Sequence, residues 1–422
     1  MNEGVTAHES DDDSGYLHTY LNGWTLLSVA TFLYWLASQS LRPYVPLHLT
    51  ALGATEATVG VAIAAHPFLS LFLAIPAGRF IDLRGLRRFM MGSLAAMAVV
   101  GGLYASLEVV AHLVAVQALD GVTELGAWVG MQALITRIPG VTMRRRHLAL
   151  FSIVWALGVA IGPTVGAYLY ETIGFAAIGM LYSVCALVAL VAVIALPYRD
   201  HGPAVDAGTR SKSMGSSGLR TAVGRIVGVS RRPGVAAALT ASFVMLWANS
   251  LRTSFYPLFL QREGVPVRTI GYLVSLAGIT LLISRFPLPI LMRRFGSVAI
   301  MLAGTAAAVL SLVATPVLVS STAALWMAAA VFGAGFGLNS PVTLDVIADS
   351  TEPEERGLAM GMRVASNRLA QVTQPLVFGA VAGALSMAAG FLVAGAVMGG
   401  ALGWAGIKFH SGGRSPGPRA EH

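Results

Sequence analysis

The sequence predicts an all-α membrane protein of twelve transmembrane helices, arranged as two pseudo-symmetric six-helix bundles. Three observations carry this. First, 55% of the 422 residues are apolar, close to the roughly 240 residues that twelve spans of about 20 would need. Second, only 11% are charged, against roughly 25% in soluble domains. So few charges cannot cover a water-facing surface, which excludes a soluble enzyme, and so apolar a chain is not disordered. Third, the apolar runs come in two sets of six with one long polar break between them.

The elements follow in order. Residues 1–22 are acidic, with Asp11-Asp12-Asp13 and no Lys or Arg before the first apolar run, so this is a cytoplasmic tail rather than a secretory signal. Helices are expected near 23–46, 57–77, 89–107, 110–136, 148–170 and 176–196, forming an N-terminal bundle over 23–196. The break at 197–234 is rich in Gly, Ser and Arg and reads as a basic cytoplasmic linker. Within it Leu219, Val223, Ile226 and Val227 share one helical face, which fits either a short helix on the membrane surface or a solvated linker. Six more helices are expected near 235–259, 269–291, 297–319, 322–348, 358–383 and 386–407. They form the C-terminal bundle, with 408–422 as a second cytoplasmic tail.

Basic residues orient the chain. Of its 28 Lys and Arg, 21 fall in segments on one side of this arrangement and two, Arg262 and Arg268, on the other. The positive-inside rule places the rich side, and both termini, in the cytoplasm. The single cysteine, Cys185, excludes an intramolecular disulfide and a cysteine metal cluster. Nucleic-acid binding is not expected, because clustered basic residues interleaved with exposed aromatics are absent.

The halves repeat. Ser40-Leu41-Arg42, Pro46, Gly53 and Gly60 match Ser250-Leu251-Arg252, Pro257, Gly264 and Gly271, at an offset of 210 residues that becomes 211. A duplicated six-helix unit is the mark of a transporter built from two bundles about a central pathway.

Between the second and third helices stands Gly78-Arg79-Phe80-Ile81-Asp82-Leu83-Arg84-Gly85-Leu86-Arg87-Arg88. Gly-x3-Asp-x2-Gly-x-Arg-Arg at this place resembles the signature loop of the major facilitator superfamily. Its counterpart in the second half, Pro289-x3-Arg293-x2-Gly296, keeps the spacing and loses the residues. The glycines allow a tight turn, Arg87 and Arg88 anchor it, and Asp82 suits the positive end of a neighbouring helix. The resemblance implies that this partner is the eleventh helix and that the contact closes the cytoplasmic side. Asp345 and Arg363 are candidates for a second latch of that gate. The fifth helix carries Gly158-x3-Gly162-Pro163-x2-Gly166-Ala167. This resembles the antiporter motif of the superfamily's drug and metabolite exporters, with Ala167 in place of the last glycine. Ordinary close packing of small residues is the alternative reading of the same motif.

The fourth helix departs from the family pattern. Gln117 stands near the usual arginine, and Asp120 and Glu124 lie four apart on one face. Intramembrane acids are functional by default, so Glu124 is the expected proton carrier, Asp120 its modulator held ionised by Arg42, and His66 an alternative proton site. Arg42, Arg252, Asn367, Arg368, Gln371 and Gln374 are the candidate cavity residues. Arg363, Asn367, Gln371 and Gln374 step along one face of the eleventh helix. Arg42 and Arg252, paired by the repeat, favour a substrate with anionic or strongly accepting groups.

The sequence contains none of the His-Glu-x-x-His, Gly-x-Ser-x-Gly or phosphate-loop patterns. It therefore reads as a non-enzymatic secondary transporter without cofactor or metal. The resemblance implies a monomer moving a small molecule by alternating access, most consistent with proton-coupled efflux of a drug or metabolite, and the bias to arginine, with Lys212 and Lys408 the sole lysines, points to a bacterial inner membrane. A proton-coupled uptake symporter, a polytopic membrane enzyme and a passive or sensor-like facilitator remain as alternatives at this point.

Overall fold

The computed structural model describes residues 8–136, 141–196 and 219–412, with side chains over 23–73, 85–135, 147–148, 150–196 and 224–409. Every regular element among the described residues is helical. The first half comprises α1 (His8–Leu41), α2 (Val45–Ala51), α3 (Glu56–Arg84), α4 (Leu86–Ser106), α5 (Val110–Thr136), α6 (Val141–Thr172) and α7 (Phe175–Ile194). A connecting helix, α8 (Leu219–Ser230), leads to the second half. There α9 (Pro233–Thr253), α10 (Phe255–Arg262), α11 (Val267–Ile283), α12 (Leu288–Phe295) and α13 (Ser297–Val313) are followed by α14 (Thr315–Leu318), α15 (Thr322–Asp349), α16 (Arg356–Ala384) and α17 (Met387–Gly412).

Short pieces complete longer ones, which recovers the twelve-span count. The first span is α1 continued by α2, broken at Arg42-Pro43-Tyr44 and restarted with Pro46 at the head of α2, where a missing N–H is harmless. The seventh span repeats this design as α9 and α10, broken at Ser254. The eighth is α11 and α12, bent by 66° across residues 284–287. Seven described helices are individually long and apolar enough to cross a membrane, eight if the bent pair counts as one. The full-length helices left out, α1, α5 and α16, hold the polar residues taken up below; α13 is slightly short.

The repeat extends to the backbone. Gly53 and Gly264 both adopt a positive φ, 88° and 82°, at the turns after α2 and α10. Gly85 and Gly296 do so at 92° and 79°, at the turns before α4 and α13. Only glycine takes these angles without strain. The stretch 78–84, expected as a loop, instead continues α3 to Arg84, so the turn rests on Gly85 alone. Likewise α1 begins at His8 rather than near 23, and α6 at Val141 rather than near 148.

Within the first half α1 packs on α6 and α7, α4 on α5 and α7, and α3 on α5. In the second, α9 packs on α15, α16 and α17, and α15 also on α11 and α13. Two seams join the halves, α3 with α16 and α6 with α11. Gly60 of α3 lies so close to Pro375 and Gly379 that a Cβ there would collide with the Pro375 carbonyl. Its repeat partner Gly271, on α11, lies as close to Ala167 and the Pro163 carbonyl of α6. Large apolar side chains such as Phe72, Val191, Leu310 and Leu392 face outward, as a lipid-facing surface requires.

Candidate functional site

A cavity of about 690 Å³ lies between the halves, walled by α1, α5 and α6 on one side and by α9, α11, α15 and α16 on the other. At one face it is sealed. Arg262 of α10 pairs with Glu56 of α3 at 2.5 Å, and Arg268 of α11 with Glu171 of α6 at 2.6 Å. The Glu171 carboxylate also accepts from the Arg268 backbone N–H, and Thr164 bonds Ser275 across the same seam at 2.8 Å. Arg262 and Arg268 are the two basic residues that orientation counting left on the poorer side.

Beside the cavity, inside the first half, the sequence's acid candidates converge. Glu124 of α5 receives Arg42 and Ser38, and its backbone carbonyl accepts from Tyr34 at 3.2 Å. His66 Nε2 of α3 lies 3.2 Å from Glu124 Oε2 and 3.9 Å from Asp120 Oδ2. Asp120 accepts from the hydroxyls of Tyr182 and Tyr104. Gly121 permits the convergence, since a Cβ there would strike the His66 carbonyl and force α3 and α5 apart. The Arg42 side chain is 34% exposed toward the cavity while Glu124 is 4% exposed. The acids are therefore insulated, and Arg42 is their link to the cavity wall.

This corrects one expectation. Arg42 binds Glu124, not Asp120, because the chain breaks just after Leu41 and the guanidinium reaches the carboxylate nearer the helix centre. Two tyrosine hydroxyls hold Asp120 instead. The three groups His66, Asp120 and Glu124 lie close enough together to hold a metal ion geometrically. Arg42 already occupies Glu124, so the arrangement suits proton exchange better than a divalent cation.

The remaining candidates divide. Arg252 is buried and donates to the Leu273 and Val274 carbonyls at 3.1 Å, with its guanidinium over the Phe332 ring. Asn367 and Gln371 line the cavity; Asn367 accepts from Ser242 at 2.7 Å. Arg368 donates to Gln371 at 3.2 Å and lines a smaller recess with His66 and Arg42. Gln374 does not reach the cavity. It is fully buried about one turn further on, where α3 and α16 close together, and its amide has no partner. Asp345 and Arg363 are not paired with each other: Asp345 accepts from Ser297 at 2.6 Å and Arg363 donates to Ser340 at 3.2 Å. Gly85 forms the α3–α4 turn, and Arg87 donates to the Ile194 carbonyl. The side chain of Asp82 lies outside the described residues, as does the surrounding of Gly78, so the expected contact with the eleventh span is not placed. Arg88 follows directly at the start of α4.

The fifth-span motif has a packing role. Gly158, Gly162 and Gly166 bring α6 against Trp35, Gln39 and Ser40 of the first span, while Ala160 and Pro163 on its other side meet Gly278 and Gly271 of α11. Several site residues carried no sequence signal: Ser38, Tyr104 and Tyr182 around the acids, and the aromatic wall of Trp35, Trp128 and Trp155. Trp35 contacts Trp128 and Trp155 with ring centroids 5.1 and 5.4 Å apart.

Two comparisons bear on this geometry. A family model described as Major Facilitator Superfamily matches residues 27–341 and 238–420. Among solved structures, the nucleoside transporter NupG superposes with a TM-score of 0.69 at 14% identity, covering 94% of this chain and 100% of that one. A bacterial homologue of the human lysosomal transporter Spinster, in an inward-facing and occupied conformation, gives 0.70 at 12% identity, covering 94% and 97%. These likenesses establish a shared fold. A search of curated protein sequences returns no significant match.

Proposed function

The chain belongs to the Major Facilitator Superfamily, and from that premise we propose that it is a proton-coupled exporter of a small organic molecule, working by alternating access in a bacterial inner membrane. It acts as a monomer with both termini in the cytoplasm. With the arginine-rich side inside, the sealed face is the outer one, and the conformation described above is inward-open. A substrate then enters the central cavity from the cytoplasm.

One observation carries the coupling: the insulated Glu124–Asp120–His66 cluster touches the cavity through Arg42. While Glu124 is ionised, Arg42 is bound to it. A proton arriving at Glu124 removes the charge that holds Arg42 and releases the guanidinium toward the cavity. Proton and substrate thereby act on one shared wall, the minimal requirement for coupling. Asp120, held by two tyrosine hydroxyls, stabilises the charge state of the cluster, and His66 bridges the two acids and relays the proton. The small-residue face of α6, which resembles that of exporters, favours export over uptake. On the opposite side, Asp82 with Asp345 and Arg363 would close the cytoplasmic gate when the protein turns outward.

The test is Glu124→Gln in proteoliposomes with a panel of candidate substrates. Flux driven by a pH gradient should be lost, while substrate counterflow at equal pH persists. A variant that still concentrates substrate in response to a pH gradient removes Glu124 from the role.

A further inference from the structure

The cavity is electrically one-sided. Among the described residues, Arg42, Arg252, Arg285 and Arg363 line it, and no aspartate or glutamate does. Two of the four are already engaged. Arg42 is neutralised by Glu124, and Arg252 lies on backbone carbonyls and the Phe332 ring. Arg285 and Arg363 have no acidic partner among the described residues. Among the described residues Arg363 reaches only the Ser340 hydroxyl, and each of the two leaves a buried Nε without an acceptor there. Cations held within a membrane without a counter-charge are costly, and such polar groups call for an explanation. An anionic ligand supplies one, and the planar guanidinium fork matches a carboxylate or phosphate.

The chain takes care to place these groups. Arg285 stands in the four-residue break between α11 and α12, where the 66° bend turns it out of the helix and over the Trp155 ring at 5.3 Å. Both Arg285 and Arg363 lie on the half of the cavity away from the sealed face. Trp35, Trp128 and Trp155 form a continuous aromatic wall on three different spans, and Arg285 stands at its Trp155 end. The Trp35 indole N–H, too, lacks an acceptor. Flat, rigid indoles favour a flat ring against them, edge-on or offset. The volume of about 690 Å³ falls within the roughly 300–1,000 Å³ of sites for drug-sized ligands.

We infer that the cavity takes a planar aromatic organic anion, its acidic group at the Arg285 and Arg363 side and its ring against the Trp35, Trp128 and Trp155 wall. This rests on reading the cavity as the substrate site, and it moves the anion-recognising role from Arg42 and Arg252 to two other arginines. A cationic ligand would meet four arginines and no acid. An aliphatic anion would forgo the indole wall.

The experiment is calorimetric titration of the protein in nanodiscs, with empty nanodiscs subtracted, using four probes: 2-naphthoate, 2-naphthamide, 2-naphthylmethylammonium and cyclohexaneacetate. The naphthoate should bind about tenfold or more tighter than each of the others. Arg285→Gln and Arg363→Gln should each weaken naphthoate about tenfold, the effect of one charge-assisted hydrogen bond, and leave naphthamide unchanged. Trp155→Leu should bring naphthoate down toward cyclohexaneacetate. Equal or tighter binding of the amide or the ammonium to the unaltered protein overturns the inference, and that comparison needs no variant to fold. Unchanged naphthoate affinity in both arginine variants overturns it as well. No gradient is present, so the result is separate from the transport reading. Naphthoate that binds but is not moved by a pH gradient refutes coupled export and leaves the ligand class standing.

Discussion

Replacing Glu56 and Glu171 together by glutamine removes both ion pairs that bridge the halves at one face of the cavity, and the size of the effect follows from their exposure. The arginines are 40% and 49% exposed and the glutamates 20% and 27%, so each pair sits in the partly hydrated regime, where such contacts contribute roughly 0.2–1 kcal/mol. Two pairs give about 0.4–2 kcal/mol, a shift of about 2- to 30-fold in the ratio of molecules closed at this face to molecules open there, since about 1.4 kcal/mol is a factor of ten. Spin labels at Ala51 and Glu263, both exposed near this face, would read the opening as a new long-distance component. Salt offers an internal control. About 1 M salt shortens the screening length to roughly 3 Å, so it should reproduce part of the shift in the unaltered protein and add little in the double variant. A distance distribution unchanged in both conditions would refute the view that these charges hold the face closed.

Two further outcomes are expected. Arg42→Gln leaves the Glu124 carboxylate buried without its full positive partner, at a cost of up to about 3–5 kcal/mol; adding Glu124→Gln to the same chain should recover most of the lost melting temperature, and a double variant no more stable than the single would contradict the pairing. Gly121→Val should cost about 1–3 kcal/mol through overpacking against the His66 carbonyl, seen as a lowered midpoint of thermal unfolding together with lost pH-driven flux.

The fold was legible in the sequence because a bilayer allows few solutions: apolar length, the basic asymmetry and the repeat each report on one large-scale constraint. The repeat was legible even in the backbone, since Gly53 with Gly264 marks turns that no other residue tolerates well. The acid cluster was half legible. Asp120, Glu124 and His66 stood out because charge is rare inside a membrane. Their pairing did not, because which carboxylate Arg42 reaches depends on a helix break rather than on helical spacing. Arg262 and Arg268 were visible as exceptions to the basic asymmetry, but nothing in the sequence named Glu56 and Glu171 as their partners. The tryptophan wall was invisible, since large aromatics are ordinary in membrane helices and only three-dimensional packing makes neighbours of Trp35, Trp128 and Trp155.

At Gly60 and Gly271 one half presents bare backbone to the other, to the Pro375 carbonyl in the first case and to the Ala167 methyl and the Pro163 carbonyl in the second. Most packed helices mesh like gear teeth, with ridges in grooves that must be lifted clear before anything slides. A bare glycine surface has no teeth at that point. If the halves rock as proposed, it serves as a bearing: close-packed, yet without interlocking side chains. One bearing lies on each side of the cavity at matching places in the repeat, so an ancestral half that could roll against its copy would have given both at once. Whatever ligand the protein carries, the ease of its turning is then set by the side chain that these two positions lack.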